Sequence, residues 1–158
     1  MRILTLTAFL VLCLDQISKW FVVHYLDLGN LGQIDTLAPY LNLQMAWNAG
    51  INFGLFAQSA DFGRWILIAI ALGITGAVLV WVRKEQLTPI GMVAAGLLLG
   101  GAMGNVVDRV IYGAVADFLN MSCCGIQNPY SFNVADISIF AGAMGLVLFS
   151  TPHGRKTP

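Results

Sequence analysis

The chain has 158 residues, of which 58% are hydrophobic and only 10% charged, and its mean hydropathy is +0.76. An average soluble domain is about 45–50% apolar and about 25% charged, so this chain has too few polar side chains to cover a water-facing surface. Eight Lys and Arg against eight Asp and Glu leave no basic face for a nucleic acid; what remains is an all-α polytopic membrane protein, one domain over residues 1–158.

A spanning helix needs about 20 mainly apolar residues. Four stretches are expected to span, at about 3–26, 65–82, 88–107 and 134–150. The first opens on Arg2 and Ile3 and so resembles the start of a signal peptide. No small-x-small cleavage site follows, and Leu12 is too large to precede Cys13 in a lipoprotein cleavage box, so this span reads as uncleaved. It carries Asp15 and Lys19, which lie on one helical face and either neutralise each other or meet a substrate. An outer loop at about 27–64 contains Gly29-Asn30, Gly32 and Pro39, then the period-two run Leu41-Asn42-Leu43-Gln44-Met45, which reads as a strand. The second span has no charge, and Arg83-Lys84-Glu85-Gln86-Leu87 joins it to the third. At the far end of the third span, Asn105, Asp108 and Arg109 fall at i, i+3 and i+4, on one face, as an interfacial pair or part of a polar network. A second outer loop, about 108–133, contains Asp117 among apolar neighbours, and Asp136 opens the fourth span, where it also suits a helix N-terminus.

Small residues recur every four positions: Gly96, Gly100 and Gly104 in the third span, Ala69, Gly73 and Ala77 in the second, Ala141 and Gly145 in the fourth. Such stripes let helices approach closely and predict a compact bundle. Arg2, Arg83, Lys84, Arg155 and Lys156 fall on one side of a four-span arrangement, and every acid except Glu85 lies in the first span or toward the other side. Basic residues accumulate in cytoplasmic loops, so both termini are expected to be cytoplasmic and the two longer loops to face outward.

Asp117 and Asp136 are 19 positions apart across a loop. Two carboxylates held close push their proton affinities apart, so one serves as acid and the other as base around a water. No nucleophile elbow, zinc-binding histidine pair or phosphate loop competes with them, and neither His24 nor His153 pairs with a nucleophile. Hard cations take carboxylates, so a metal on Asp108, Asp117 and Asp136 is the alternative; the expectation is no metal and no cofactor. Cys13, Cys123 and Cys124 are odd in number, two of them adjacent, and read as apolar filler, with a vicinal bridge between the last two geometrically unusual.

Five segments in order, Asp15-x-x-x-Lys19, Asn48-Ala49-Gly50-Ile51-Asn52-Phe53-Gly54, Gly104-Asn105-Val106-Val107-Asp108-Arg109, Val115-Ala116-Asp117-Phe118 and Phe132-Asn133-Val134-Ala135-Asp136, resemble lipoprotein signal peptidase (signal peptidase II). The resemblance covers nearly the whole chain. It implies four transmembrane helices, an outer β-cradle built largely by the first loop, and a short helix in the second outer loop. It also implies a cofactor-free aspartic endopeptidase of the bacterial cytoplasmic membrane. Such an enzyme removes signal peptides from diacylglyceryl-modified prolipoproteins, cutting before the lipidated cysteine. Carried over by motif, Asp117 and Asp136 are catalytic; Asn48, Gly50, Asn105, Asp108, Arg109 and Asn133 take active-site and support positions; Asp15 and Lys19 match the first-span polar pair. Asn52 stands where many members have a small residue, and Ala116 where valine is common. The expected partners are prolipoproteins and membrane lipids, with the chain acting as a monomer. A rival reading, a four-helix proton-coupled transporter using Asp15 and Lys19, conflicts with the lack of mid-depth charge in the other spans; a non-catalytic scaffold would leave both aspartates replaceable.

Overall fold

A computed structural model describes residues 1–37, 40–50, 60–85, 87–122 and 128–149. Helix α1 (Arg2–Trp20) runs into a π-helical turn (Phe21–Tyr25), followed by the short helix α2 (Leu28–Leu31). Strands β1 (Gln33–Leu37) and β2 (Leu41–Asn48) precede helices α3 (Ala60–Lys84) and α4 (Pro89–Tyr112); strand β3 (Val115–Asn120) and helix α5 (Val134–Phe149) complete the described chain. Three helical stretches, Arg2–Tyr25, Phe62–Lys84 and Pro89–Tyr112, are long and apolar enough to cross a membrane, and α5 is a shorter apolar helix. Their outer faces are what lipid requires: Phe9, Ile17, Phe140 and Val147 are 62–77% exposed along the helices.

The helices overrun the expected spans at several ends. Hydropathy marks the hydrocarbon layer, whereas α4 stops only at Gly113, whose N–H bonds the Arg109 carbonyl at 3.2 Å. Asp108 and Arg109 therefore sit inside the last turns of a rigid helix and not at the start of a loop.

Helix α4 is central, with α1 and α5 packed along it and α3 held more loosely. The α4 glycine stripe makes this possible. A Cβ on Gly100 would lie 2.6 Å from the Ala8 carbonyl oxygen and 2.8 Å from the Val11 Cβ, so α1 lies directly on that backbone. The second-span stripe does no such work, since nothing lies within 4 Å of a Cβ built at Gly73. In α5 Gly145 packs as expected, with the Ala94 Cβ 2.8 Å from a Cβ built there; the exposed Ala141 does not, and Gly142 packs instead, with the Ala94 carbonyl and Leu98 amide against it. A spacing of four identifies a stripe without saying which face turns inward.

The three strands form one antiparallel sheet in the order β1-β2-β3. Its underside packs through Phe118 against Val22 and Leu28, with Ile34, Leu43 and Met45 around them. The first loop thus supplies two strands, and the third comes from the second outer loop. The short outer helix, α2, lies in the first loop; the described residues of the second loop form a strand and irregular chain, and residues 123–127, with Cys123 and Cys124, lie outside the described residues. Cys13 is a free thiol, half-buried on α1. Leu4, Val82, Leu87 and Leu146 share one cluster, which puts the start of α1, the end of α3 and the start of α4 together at the bundle end opposite the sheet.

Gly100→Ala should destabilise the fold by about 1–3 kcal/mol, because backbone must move to admit the methyl. Gly73→Ala, facing open space, should be neutral or slightly stabilising. Thermal unfolding of both variants in detergent checks the contrast.

Candidate active site

The sheet end of the bundle carries nearly all the polar side chains singled out in the sequence, in two layers. The deeper layer is ionic. Lys19 Nζ lies 2.7 Å from Asp15 Oδ2 and 2.8 Å from Asp108 Oδ2, and all three residues are at most 2% exposed. Asp15 and Lys19 therefore form a buried ion pair, and Asp108 pairs with the same lysine. Room for Asp15 exists because position 104 is glycine; a Cβ there would collide with the carboxylate.

Each deep carboxylate also anchors a backbone. Asp108 Oδ2 accepts from the Ala116 N–H at 3.1 Å, and Asp15 Oδ1 accepts from the Ala135 N–H at 2.9 Å. These are the residues immediately before Asp117 and Asp136. Ala116 is fully buried, so the alanine that departs from the common valine lies in the core; Asn52 falls outside the described residues. Oδ1 of Asp108 accepts from Gln16 at 2.9 Å and Oδ2 from Lys19 and Ala116, and among the described residues no group of three or more His, Cys, Asp or Glu is placed to hold a metal ion.

The upper layer holds the candidate dyad. Asp117 lies on β3, which pairs with β2 so that Ala46 is opposite Asp117 and Asn48 opposite Val115. Phe132 pairs with Leu119, with N–H···O distances of 2.8 and 2.9 Å, and thereby delivers the next residue, Asn133, to Asp117. Asn133 caps α5: its Oδ1 accepts from the Asp136 N–H at 2.9 Å, and Asp136 Oδ2 accepts from the Asn133 N–H at 3.3 Å, a reciprocal capping box. The free end of the same amide, Nδ2, donates to Asp117 Oδ1 at 2.6 Å. One asparagine therefore touches both acids.

Two further amides complete the arrangement. Asn48 Nδ2 donates to Asp117 Oδ2 at 3.1 Å while its Oδ1 accepts from the Gly50 N–H at 3.0 Å. Gly50 has φ of 100°, a conformation that other residues adopt rarely, and a Cβ there would strike Leu67. Asn105 Nδ2 donates to Asp136 Oδ1 at 2.9 Å, and its Oδ1 faces Lys19 Nζ and Asn133 Nδ2, each at 3.4 Å. Arg109 bonds the Asn105 carbonyl at 3.2 Å, and its charge acts on Asp117, Asp136 and Asp108.

The two acids differ in setting. Asp117 is 3% exposed, whereas Asp136 is half-buried. Burial first, then the charge of Asp136, pushes the Asp117 carboxyl up to about 6 against the hydrogen bonds from Asn48 and Asn133 and the charge of Lys19. His24 plays no part in this cluster; its Nε2 lies 3.4 Å from the Tyr112 hydroxyl. Every described candidate from the sequence joins the two layers. Gln16, which the sequence reading passed over, sits in the deeper layer between Asp15 and Asp108, and its only signal was an amide next to Asp15 in a mainly apolar span.

The Signal peptidase (SPase) II family profile matches residues 7–151. The lipoprotein signal peptidase of Methylorubrum extorquens (strain PA1) is 41% identical over 147 residues, covering 93% of this chain and 84% of that protein. The lipoprotein signal peptidase of Methylobacterium radiotolerans is 42% identical over 148 residues, covering 93% and 85%. A bacterial membrane enzyme solved by the in meso method at 1.9 Å superposes with a TM-score of 0.79 at 26% identity, over 94% of this chain and 92% of that one. Sequence and fold agree across almost the full length, and the chain belongs to the signal peptidase II family of membrane peptidases.

Proposed function

We propose that the chain is an aspartic endopeptidase that removes the signal peptide from diacylglyceryl-modified prolipoproteins, cutting before the lipidated cysteine. The observation that carries this reading is that the Asn133 side chain joins the Asp117 carboxylate to the backbone N–H of Asp136, whose own carboxylate accepts from the Asn133 N–H. The chemistry needs one acid protonated and one ionised. Asp117, pushed up to about 6, holds the proton, and Asp136 acts as base. Asp136 takes a proton from water as the water oxygen attacks the scissile carbonyl carbon, and Asp117 gives its proton to the carbonyl oxygen. The gem-diol then collapses: Asp136 protonates the departing nitrogen, Asp117 recovers a proton from a hydroxyl, and the C–N bond breaks. No cofactor enters this cycle.

A lipid-borne substrate arrives by lateral diffusion, and the fold offers it an apolar route. A groove of about 240 Å³ lies along α3, α4 and α5, with Leu67, Ile70, Ile74 and Ile139 on its walls and Asn105 and Arg109 at its polar end. The enzyme works as a monomer in the bacterial inner membrane. Arg2, Arg83 and Lys84 lie at the bundle end opposite the dyad, so that end is cytoplasmic and the site faces outward. Clustering of the polar groups at one end favours hydrolysis there over transport across the bundle.

Asp117→Asn and Asp136→Asn should each abolish cleavage of a diacylated prolipoprotein while leaving the fold intact, and the double variant should be hardly slower than either single one. Near-normal cleavage by either well-folded variant would sink the assignment.

Cleavage should decline as pH rises through about 6, when the dyad loses its shared proton. Stability carries the same signature. Folded Asp117 keeps its proton above the ordinary value of 3.8, so the stability it contributes is present at low pH and lost as pH rises through about 6. Asp117→Asn should therefore gain in melting temperature relative to wild type between pH 4 and pH 7; a constant gap would argue against the raised proton affinity.

Topology reporters placed at Glu85 and at Asn30 should report opposite sides of the membrane, cytoplasmic and outer respectively. The same side for both would overturn the four-span orientation.

A further inference from the structure

Gln16 is not part of the dyad and touches neither acid, and yet it sits beneath them between the two deep carboxylates. Its Nε2 donates to Asp108 Oδ1 at 2.9 Å, to Asp15 Oδ2 at 3.1 Å and to the Gly104 carbonyl at 3.3 Å. Lys19 bridges the same two carboxylates from a second direction. Beyond each carboxylate stands the backbone N–H of an alanine, and beyond each alanine a dyad aspartate. The connection therefore runs Asp117, Ala116, Asp108, then Gln16 and Lys19 in parallel, then Asp15, Ala135, Asp136.

We propose that Gln16 and Lys19 form a two-rung spacer that sets the separation of Asp117 and Asp136, with Gln16 as a positioning residue for the peptidase reaction. The proposal rests on the assignment of those two acids as the catalytic dyad. Its geometry is specific. Asp117 sits on a strand and Asp136 on a helix from different parts of the chain. The strand and the helix start are fastened through one backbone bond each to side chains of α4 and α1, which the spacer ties together. The lysine rung supplies the charge that two buried carboxylates need. The glutamine rung supplies a fixed planar amide with donors to both, so the gap cannot open by rotation of the flexible lysine stem alone.

Charges surround the dyad: Asp136 of α5 and Lys19 of α1 act on Asp117, and Arg109 of α4 interacts with both acids and with Asp108, with the neutral Asn48 of β2 and Asn133 as hydrogen-bond partners. Of these, Asp136 raises the proton affinity of Asp117 and Lys19 lowers it. A changed separation of the two acids therefore changes the pH profile as well as the rate.

The test uses the full chain in lipid or detergent with a diacylated lipopeptide. Lys19→Met leaves two buried carboxylates without their cation and is liable to fail to fold. Gln16→Met removes the second rung without exposing a charge, and is the decisive variant. Small misplacements of reacting groups cost roughly tenfold to a hundredfold in rate, so kcat should fall by about tenfold or more with KM changed less than about twofold. The upper limb of its pH profile should move away from the wild-type position, while the fall in melting temperature from leaving Asp108 Oδ1 without its amide donor should still keep the variant fully folded at the assay temperature. Gln16→Asn, polar but one methylene too short to span both carboxylates, should behave like Gln16→Met. Unchanged kcat and pH profile in Gln16→Met would overturn the spacer. So would a loss of activity that merely tracks a lowered melting temperature, with the pH profile of the surviving fraction unmoved. Asp117→Asn run alongside separates the two levels: an active Asp117→Asn removes the dyad itself, whereas an inactive Asp117→Asn beside an unimpaired Gln16→Met removes only the spacer.

Discussion

A lysine ammonium placed between two carboxylates, all of them out of water, is the interaction on which the rest of this molecule depends. Taking three charges from water costs several kcal/mol per ion, and a pairwise attraction repays that only when the remaining lone pairs are satisfied. Here they are. Lys19 serves both Asp15 and Asp108, and the net negative charge left over is met by the Gln16 amide and by the N–H groups of Ala116 and Ala135. Those last two donors are not incidental solvation. They belong to the segments that carry the dyad, so the cluster solvates itself by pulling β3 and the start of α5 onto the bundle. Ionic satisfaction and active-site assembly are one event.

The upper layer follows a second rule, that a carboxamide held at its oxygen must present its nitrogen. Asn48 is held by the Gly50 N–H, Asn133 by the Asp136 N–H, and Asn105 faces the Lys19 ammonium. Each then turns its NH₂ toward an acid of the dyad. Neutral donors on each carboxylate hold it in place without neutralising it, which a cation in their place would do. The asymmetry between the acids then comes from depth, since Asp117 is buried on β3 and Asp136 half-buried at the start of α5.

The lengthwise plan of this fold is legible in the sequence because lipid imposes it. Apolar runs of the right length, basic residues at one end and acids at the other all follow from the solvent. The polar pair Asp15 and Lys19 is legible from its spacing, but its third member is not: nothing in a linear pattern says that Asp108, 89 positions after Lys19, turns to the same point. Strand β3 escapes for a different reason. Val115, Ala116, Asp117 and Phe118 are buried in succession, so the period-two alternation that marks β2 is missing, and the strand exists because β2 lies beside it. The close approach of Asp136 to its helix start is visible locally as a capping position, and that local role turns out to be part of the site. The capping box orients Asn133, and Asn133 reaches Asp117.

Loose and tight regions of the bundle divide along the same line. Helices α1, α4 and α5 meet through glycine-lined backbone contact, and from them come the ionic spacer and the start of Asp136's helix. Helix α3 contributes neither, packs least, and borders the apolar groove that ends at Asn105 and Arg109. A protease that takes its substrate from a bilayer needs both kinds of packing: reacting groups fixed to fractions of an ångström, and a wall that a lipid-anchored chain can pass. Were α3 packed as closely as α5, the groove would fill. Were α1 packed as loosely as α3, the two carboxylates would lose the register that the buried lysine sets. The uneven distribution of small residues that actually touch a neighbour, dense along α4 and without effect at Gly73, is how one short chain meets both demands.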